Sequence, residues 1–348
     1  MNTRMSTGVL ASVAAVVLAV ATLAGQSGYQ APRTPWGDPD LQGTWNGNDL
    51  QGIPFERAES VGTRTELSEE EYRQRVERRD SLVVSDNADF DLEVSEEFES
   101  FGAVGGPVSP PPHWLERAQN ISRQASFLVD PPDGRLPALR PEAEHRQAME
   151  RAEQSALRAR RGSVEAFTYT DRSLYDRCIS FGPMRSVTPK IYNSGNRIVQ
   201  GPGWVGFTNE MVHETRIIPT DGRTHVGSDI KTWMGNSVGH WEGDTLVVET
   251  RHIRPEINFQ GAPLSDTGRL VERFTRVADD SLEYTFTVED PENWTRPWTM
   301  MMRIPRDDDY EVFEYACHEG NYTMFNILSG SRAQEKMDKL DKKDKKDK

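Results

Sequence analysis

The stretch "SLEYTFTVE", residues 281–289, alternates apolar and polar side chains along its whole length. One face of an extended chain would carry its four apolar residues, which are Leu282, Tyr284, Phe286 and Val288. A period of two is typical of a β-strand with one buried face. The stretch therefore predicts a half-buried strand.

Similar segments surround this strand from about residue 195 onwards, and short turns join most of them. They include "NRIVQ" (196–200), "GWVGFT" (203–208), "MVHETRII" (211–218), "RLVERFTRV" (269–277), "WTMMMRIP" (298–305) and "YEVFEYAC" (310–317). Short connections mean antiparallel neighbours, and we predict nine or ten strands. Because the edges of such a series must be hidden, we predict a mainly β fold with an antiparallel barrel-like or strongly curved sheet. A two-sheet sandwich is the alternative.

Two segments carry the signals of peripheral helices. In "SEEEYRQRVERRD" (68–80), Ser68 is placed to cap a helix and Glu71 to return the contact. In the second, residues 141–161, Pro141 suits the first helical position and Gly162 the end. Both helices have thin apolar stripes, so we expect them on the outside of the fold.

Composition divides the rest of the chain. We predict a flexible lead-in at 25–40, a first strand, surface helix and acidic or Pro-rich loops within 41–120, a β-rich body at 121–333, and a disordered charged tail at 334–348. The acidic stretch 85–99 lacks the glycine that an EF-hand calcium loop needs at its sixth position. It is therefore interpreted as a solvated linker. The segment 102–112 is interpreted as loop or polyproline.

The N-terminus predicts export. Arg4 precedes an apolar run at 9–24, with small residues suited to a cleavage site near its end. This is typical of a secretory signal peptide over residues 1–24. An uncleaved membrane anchor is the alternative, but a spanning helix needs about 20 apolar residues. We expect a periplasmic or extracellular protein without stable membrane insertion after cleavage.

Charge limits the partners. The formal net charge of −14 argues against nucleic acid, which requires a basic surface, and against anionic membranes. A small-molecule ligand or substrate fits this charge better.

The two cysteines, Cys178 and Cys317, would be in a compartment that permits disulfides. We predict that they pair. A metal site that adds His318 is the alternative, although neighbouring residues on a strand point to opposite faces. No cofactor and no metal are predicted.

The motif "GNSVG" (235–239) has the Gly-x-Ser-x-Gly form of a hydrolase nucleophile elbow. An elbow needs a helix directly after the serine. Ser237 is instead followed by "GHWEGDTLVVET", in which Glu242, Gly243 and Asp244 suit a three-residue hairpin loop before a strong strand. The motif is therefore interpreted as the start of a β-hairpin.

Some phrases resemble known families. "GTW" (43–45) resembles the Gly-x-Trp first strand of lipocalins and their calycin relatives. Four phrases between residues 120 and 333 are together similar to a family of exported bacterial proteins of unassigned function: "DPPDGR", "GHWEGDTLVVET", "FTVEDPENWTRPW" and "EYACHEGN". The resemblance implies export and a β-rich body, and it implies no catalytic residues.

Polar residues on the inward face of a barrel are the candidates for function. A histidine and a carboxylate in a dry pocket suit acid–base chemistry, so the catalytic candidates are His213, Glu214, Arg216, His240, His318 and Glu319. Glu214 and Arg216 should share one face, with His213 on the other. The ligand-binding candidates are Trp204, Trp233, Trp241, Arg276 and Tyr322. Core packing, turn caps and cross-strand ion pairs are the alternative roles of all these residues.

Two functional classes follow. The first is an exported protein that binds a small, partly apolar molecule in a barrel-like cavity. The second is a cofactor-free hydrolase, lyase or isomerase that uses a His–carboxylate pair. A structural envelope module, with its strand faces filled, is a third possibility.

Overall fold

The strand-like segments form antiparallel sheets in a computed structural model that describes residues 29–91, 115–161 and 166–344. The strands are β1 (Gly43–Asn46), β2 (Leu128–Asp130), β3 (Gly195–Gly201), β4 (Trp204–Asn209), β5 (Thr215–Pro219), β6 (Asn236–Glu242), β7 (Thr245–Arg251), β8 (Asn258–Phe259), β9 (Ala262–Pro263), β10 (Arg269–Ala278), β11 (Ser281–Glu289) and β12 (Trp298–Pro305). This is slightly more than the nine or ten predicted, because short pairings such as β8–β9 carry little sequence signal.

Two larger sheets make up most of the fold. One has the order β1-β3-β4-β5 and the other the order β2-β12-β11-β10-β7-β6. The sheets face each other, with the rings of Phe207 and Phe274 at a centroid distance of 5.3 Å. Among the described residues they are not closed into a barrel, and a single bridge between Trp45 and Arg306 links their edges at β1 and β12. The mainly β, antiparallel prediction is confirmed, as a curved two-sheet arrangement.

The alternation of residues 281–289 is confirmed in β11. Its apolar residues are at most 1% exposed and face the sheet opposite; they are Leu282, Tyr284, Phe286 and Val288. Full burial of such a side chain contributes about 1.5–3 kcal/mol. The stretch therefore fixes which face of the six-stranded sheet is buried.

The hairpin interpretation of residues 235–250 is also confirmed. Ser237 lies in β6, buried, with its Oγ 2.8 Å from Thr250 Oγ1. Glu242 pairs directly with Thr245, so the loop has two residues and not the three predicted. Gly243 takes the positive φ of +60° that this tight turn requires. Ser237 thus has the environment of a structural strand residue.

Four α-helices accompany the sheets in the ranges that the structure describes. They are α1 (Glu69–Asp91), α2 (Pro141–Arg161), α3 (Gly182–Val187) and α4 (Tyr322–Asp344). The predicted capping box of α1 is confirmed, since the Ser68 amide donates to Glu71 Oε2 at 2.8 Å and the Glu71 amide donates to Ser68 Oγ at 3.3 Å. α2 has the predicted bounds of 141–161.

Two predicted irregular segments are partly helical, which corrects their interpretation. α1 continues over residues 85–91, part of the expected acidic linker, because Asp86 forms a bidentate ion pair with Arg117 and ties this end of the helix to the body. α4 runs to Asp344 through most of the expected disordered tail. Contacts one turn apart support it, including Arg332 with Glu335.

The predicted strand at 310–317 is wrong, because these residues have no strand pairing. The buried carboxylate of Glu210 instead accepts hydrogen bonds from donors in this segment. Its Oε2 accepts the Tyr310 hydroxyl at 2.7 Å, and its Oε1 accepts the Phe313 amide at 3.1 Å. An alternating pattern cannot reveal that a carboxylate from another segment replaces a neighbouring strand.

The predicted disulfide is confirmed. Cys178 and Cys317, 139 positions apart, are bonded and leave no free cysteine. This excludes the alternative metal site with His318. The bond attaches segment 310–317 to the loop that precedes α3.

Several predictions lie outside the described residues. They are the signal peptide at 1–24, the start of the lead-in, residues 92–99 of the acidic stretch, the segment 102–112, Gly162 and the last four residues. Within the part of the chain that is described, no helix has both the length and the apolar character needed to cross a membrane.

We expect the double variant Cys178→Ser/Cys317→Ser to lower the free energy of unfolding by about 2–5 kcal/mol, because the unfolded chain loses a constraint over a long loop. Urea titration measures the change. Wild-type protein in reducing buffer is the control, and its free energy of unfolding should match that of the variant. Unchanged stability in both would show that the bond does not restrain the unfolded chain.

Candidate functional site

The space between the sheets is filled by side chains. Phe274 packs on Phe207 at 5.3 Å and on Tyr284 at 4.8 Å between ring centroids. These three residues are at most 2% exposed. The barrel-like prediction placed a ligand in this interior. At these positions the protein's own core side chains fill it.

Arg216 and Glu272 form a buried ion pair between the sheets. Arg216 Nη1 and Nη2 donate to Glu272 Oε2 and Oε1 at 2.6 and 2.7 Å. The Tyr284 hydroxyl also donates to Oε1, at 2.8 Å. The two charged side chains are 4% and 0% exposed. Both prongs of Arg216 are therefore engaged within the protein, which leaves no free donor pair for a ligand carboxylate.

Electrostatics fix the charge states of this cluster. Burial acts to lower the pKa of Arg216, but the charge and hydrogen bonds of Glu272 outweigh it and raise the pKa overall. Burial and the Glu272 carboxylate raise the pKa of Tyr284 well above its usual value. Arg216 stays charged and Tyr284 neutral near pH 7, as a structural role requires.

His213 and Glu214 differ in exposure, and both precede β5, since the predicted strand at 211–218 begins only at Thr215. Glu214 is 8% exposed and accepts hydrogen bonds from the Phe181 amide at 3.2 Å and from the hydroxyls of Ser180 and Ser186. His213 is exposed, with a φ of +47°, and its Nδ1 lies 2.9 Å from the Tyr315 carbonyl oxygen. No hydrogen bond joins the two residues, so they do not form an acid–base pair.

The other catalytic candidates are on the surface. The side chain of His240 is 62% exposed, and its Nε2 lies 3.1 Å from Glu242 Oε1. His318 and Glu319 are exposed in the turn after the disulfide. The structure does not bring these residues together with His213 or Glu214.

The predicted ligand-binding residues are also dispersed. Trp204 and Tyr322 are 39% and 72% exposed. Trp233 and Trp241 are partly buried against the core. Arg276 is 7% exposed and donates to backbone carbonyls, including that of Asp279 at 2.8 Å. These residues do not line one pocket.

A groove with a volume of about 840 Å³ lies outside the sheets. α1 contributes one set of lining residues, between Glu71 and Leu82. The loop 51–61, the segment 117–127 and the segment 184–191 at the end of α3 contribute most of the others. The groove therefore forms where the helices and loops pack beside the β body.

The groove combines apolar and cationic side chains. Its apolar lining includes Ile53, Phe55, Ile121, Phe127 and Met184. Six cationic side chains line it as well, which are Arg75, Arg78, Arg79, Arg117, Arg185 and Lys190. Within the described part of the chain, Glu71 is the one acidic residue that lines it. An amphipathic surface of this kind is unusual on a chain with a net charge of −14.

The cations differ in how far they are neutralised. Arg117 pairs with Asp86, with Nε 2.7 Å from Oδ2. Arg75 donates to the backbone carbonyls of Ser122 and Gln124 at 2.9 and 2.8 Å, which leaves its charge in place. Arg78 and Arg185 are exposed, and among the described residues neither has a carboxylate within ion-pair distance.

Lys190 has an unusual environment at the end of α3. Its Nζ donates to the carbonyl oxygens of Ser186 and Thr188 at 2.6 and 3.0 Å. Burial is the largest cause that lowers the pKa of Lys190 to about 7; Arg185 adds to it, and Glu214 and Glu210 oppose it. Lys190 is therefore mostly charged below pH 7 and mostly neutral above it.

Sequence reasoning missed the groove cations. Arg75, Arg78 and Arg79 are at i, i+3 and i+4, with Leu82 at i+7, a spacing that places all four on one helix face. That pattern is a signal for a basic face with an apolar end on the predicted surface helix. Arg185 and Lys190 carry no comparable pattern, because the fold alone places them beside α1.

Comparison with known proteins found no matching family model, no matching curated protein and no matching solved structure. Among the described residues, no cluster of three or more His, Cys, Asp or Glu side chains is arranged to hold a metal ion.

We expect Glu272→Gln to lower the free energy of unfolding by about 3–5 kcal/mol, because it leaves a buried guanidinium unpaired. Urea titration measures this. Glu283→Gln is the matched control, since Glu283 pairs with Arg303 on the exposed face of the same sheet. It should lower the free energy of unfolding by less than about 1 kcal/mol. A triple replacement, Arg216→Met/Glu272→Leu/Tyr284→Phe, should recover much of the loss. Equal effects of the two single variants would show that the buried pair does not contribute more to stability than the exposed one.

We expect the Lys190 amine to reach half of its maximal acetylation rate near pH 7, because only the neutral amine reacts with acetic anhydride. Pulse labelling across pH 5.5–10 with peptide mass spectrometry measures the profile. Lys231, an exposed lysine paired with Asp266, is the reference for reagent stability. A Lys190 rate that is still rising tenfold per pH unit at pH 9 would contradict the expectation.

Proposed function

We propose that this protein binds a small, partly apolar molecule in the groove beside α1. The observation that carries the proposal is the amphipathic lining of a groove of about 840 Å³. Small-molecule sites of about 300–1,000 Å³ bury most of a ligand's surface, with mostly apolar walls and a few polar groups that orient the ligand. The proposal places binding outside the sheets, whereas the barrel-like prediction placed it between them.

The residues of the groove support binding better than catalysis. In the described part of the chain, no histidine lines the groove, and the one lining carboxylate, Glu71, accepts hydrogen bonds from neighbouring residues. Hydrogen bonds from Arg64 and from the Ser68 backbone and side chain lower the pKa of Glu71 to about 2. Glu71 is thus ionised near pH 7 and unsuited to act as a general acid, for which a pKa near the working pH is favourable.

We further propose that the protein acts outside the cytoplasm, in the periplasm or the extracellular space. The apolar run at 9–24 after Arg4 supports export. The Cys178–Cys317 bond supports the same location, because disulfides persist in oxidising compartments.

The proposal predicts that a neutral, partly apolar dye, N-phenyl-1-naphthylamine, gains fluorescence on binding to the full chain. Leu82 lines the groove from α1 and is 42% exposed. We expect Leu82→Gln to weaken dye binding by about threefold to tenfold, since contact with apolar surface is lost. Fluorescence titration measures the dissociation constant.

Val84→Gln is the matched control. Val84 is on the same helix, 68% exposed, and outside the groove lining. It should leave the dissociation constant unchanged. Equal weakening by both substitutions, or the absence of any dye binding to the wild-type protein, would contradict binding in the groove.

A further inference from the structure

We infer that the ligand of this groove is an amphiphilic carboxylate, a free small molecule with an alkyl or aryl body and one anionic head group. This inference rests on the proposed function and adds the chemical class of the ligand. The apolar lining would take the body, and the cations at the end of α3 would take the head group.

Charge complementarity is the first support. Among the described residues, six cationic side chains and one acidic side chain line the groove, while the whole chain carries a net charge of −14. Because Arg117 is paired with Asp86 and Arg79 contacts Asp80, the excess comes mainly from Arg75, Arg78, Arg185 and Lys190. Positive charge concentrated at one site of an acidic protein attracts an anion and repels a cation.

The convergence of two cations on one ring is the second support. Arg185 Cζ lies 5.5 Å from the centroid of Phe181, and Lys190 Nζ lies 5.7 Å from the same centroid. Arg185 has no carboxylate within ion-pair distance among the described residues, so its planar pair of donors is available. A guanidinium matches a carboxylate with two parallel hydrogen bonds.

The apolar lining is the third support and determines the rest of the ligand. Phe127 and Met184 are 5% and 4% exposed, yet both border the groove together with Ile53 and Phe55. A fully hydrophilic anion would leave this surface in water. A membrane surface is disfavoured because the protein as a whole repels anionic lipids through its net charge. A free amphiphile satisfies both features.

The test is displacement of N-phenyl-1-naphthylamine from the full chain by four probes at pH 6.5: decanoate, decanol, decyltrimethylammonium and anionic phosphatidylglycerol vesicles. We expect decanoate to compete at least about tenfold more strongly than decanol, since one charge-assisted contact adds this much. Decyltrimethylammonium and the vesicles should compete weakly. Raising the salt concentration should weaken competition by decanoate and leave competition by decanol unaffected.

Arg185→Gln tests the head-group position. It should weaken the binding of decanoate by about fivefold to tenfold and leave the affinities for decanol and the dye unchanged, because only the anion contacts the guanidinium. Arg197→Gln is the matched control, since Arg197 is an exposed arginine of β3 outside the groove lining. It should change none of the three affinities.

The pH dependence gives an independent readout. The charged groups that act on Lys190 are Arg185, Glu210 and Glu214, and the pKa of Lys190 is about 7. The ammonium form predominates below this value, so the affinity for decanoate should fall as the pH rises from 6 to 8.5. Lys190→Met should flatten this dependence. Decanol affinity should not change with pH in either protein.

The outcomes separate the two proposals. If the dye binds and decanol or decyltrimethylammonium competes as well as decanoate, the carboxylate inference is overturned and ligand binding stands. If vesicles displace the dye as effectively as decanoate, the ligand source is a membrane and the inference fails. If neither the dye nor decanoate binds in direct calorimetry, the groove is not a binding site and both proposals fail.

Discussion

The desolvated ion pair between Arg216 and Glu272 is the constraint on which the arrangement of the two sheets depends. A charge left unpaired at this depth costs several kcal/mol, so β5 and β10 are held at the separation that keeps both prongs of the contact. The hydroxyl of Tyr284 completes the cluster from β11. Aromatic and aliphatic side chains fill the space around it. Arg216, Glu272 and Tyr284 thus satisfy one another's hydrogen bonds inside the β body.

A buried carboxylate also connects this body to the proposed site. Glu214, directly before β5, accepts hydrogen bonds from Ser180, Ser186 and the Phe181 backbone. Those donors lie in and next to α3, which presents Arg185 and is followed by Lys190. Glu214 therefore fixes the position of the groove cations, although it was a catalytic candidate in the sequence. Its role in the structure is to hold α3 through these hydrogen bonds.

Much of the fold was predictable because the signals are local. The alternation in residues 281–289, the capping box at Ser68 and the hairpin turn at Gly243 each depend on neighbours within a few positions. At 85–91 and 310–317 the prediction failed because contacts from distant residues decided the local structure, whereas the helix that reaches into the tail is supported by contacts one turn apart. The resemblance to an exported bacterial family and to the lipocalin Gly-x-Trp strand stays a prediction, since no comparison tests it.

The sequence by itself determined that the chain is mainly β and antiparallel, which residues of 281–289 face inward, and which cysteines pair, because periodicity and the small number of cysteines leave few alternatives. Only the tertiary structure decided where the groove lies. Arg78 on α1 and Arg185 on α3 are over a hundred positions apart, and they line one groove because packing of the loops brings their helices to it. Such proximity depends on the summed packing of the whole chain, and no local pattern encodes it.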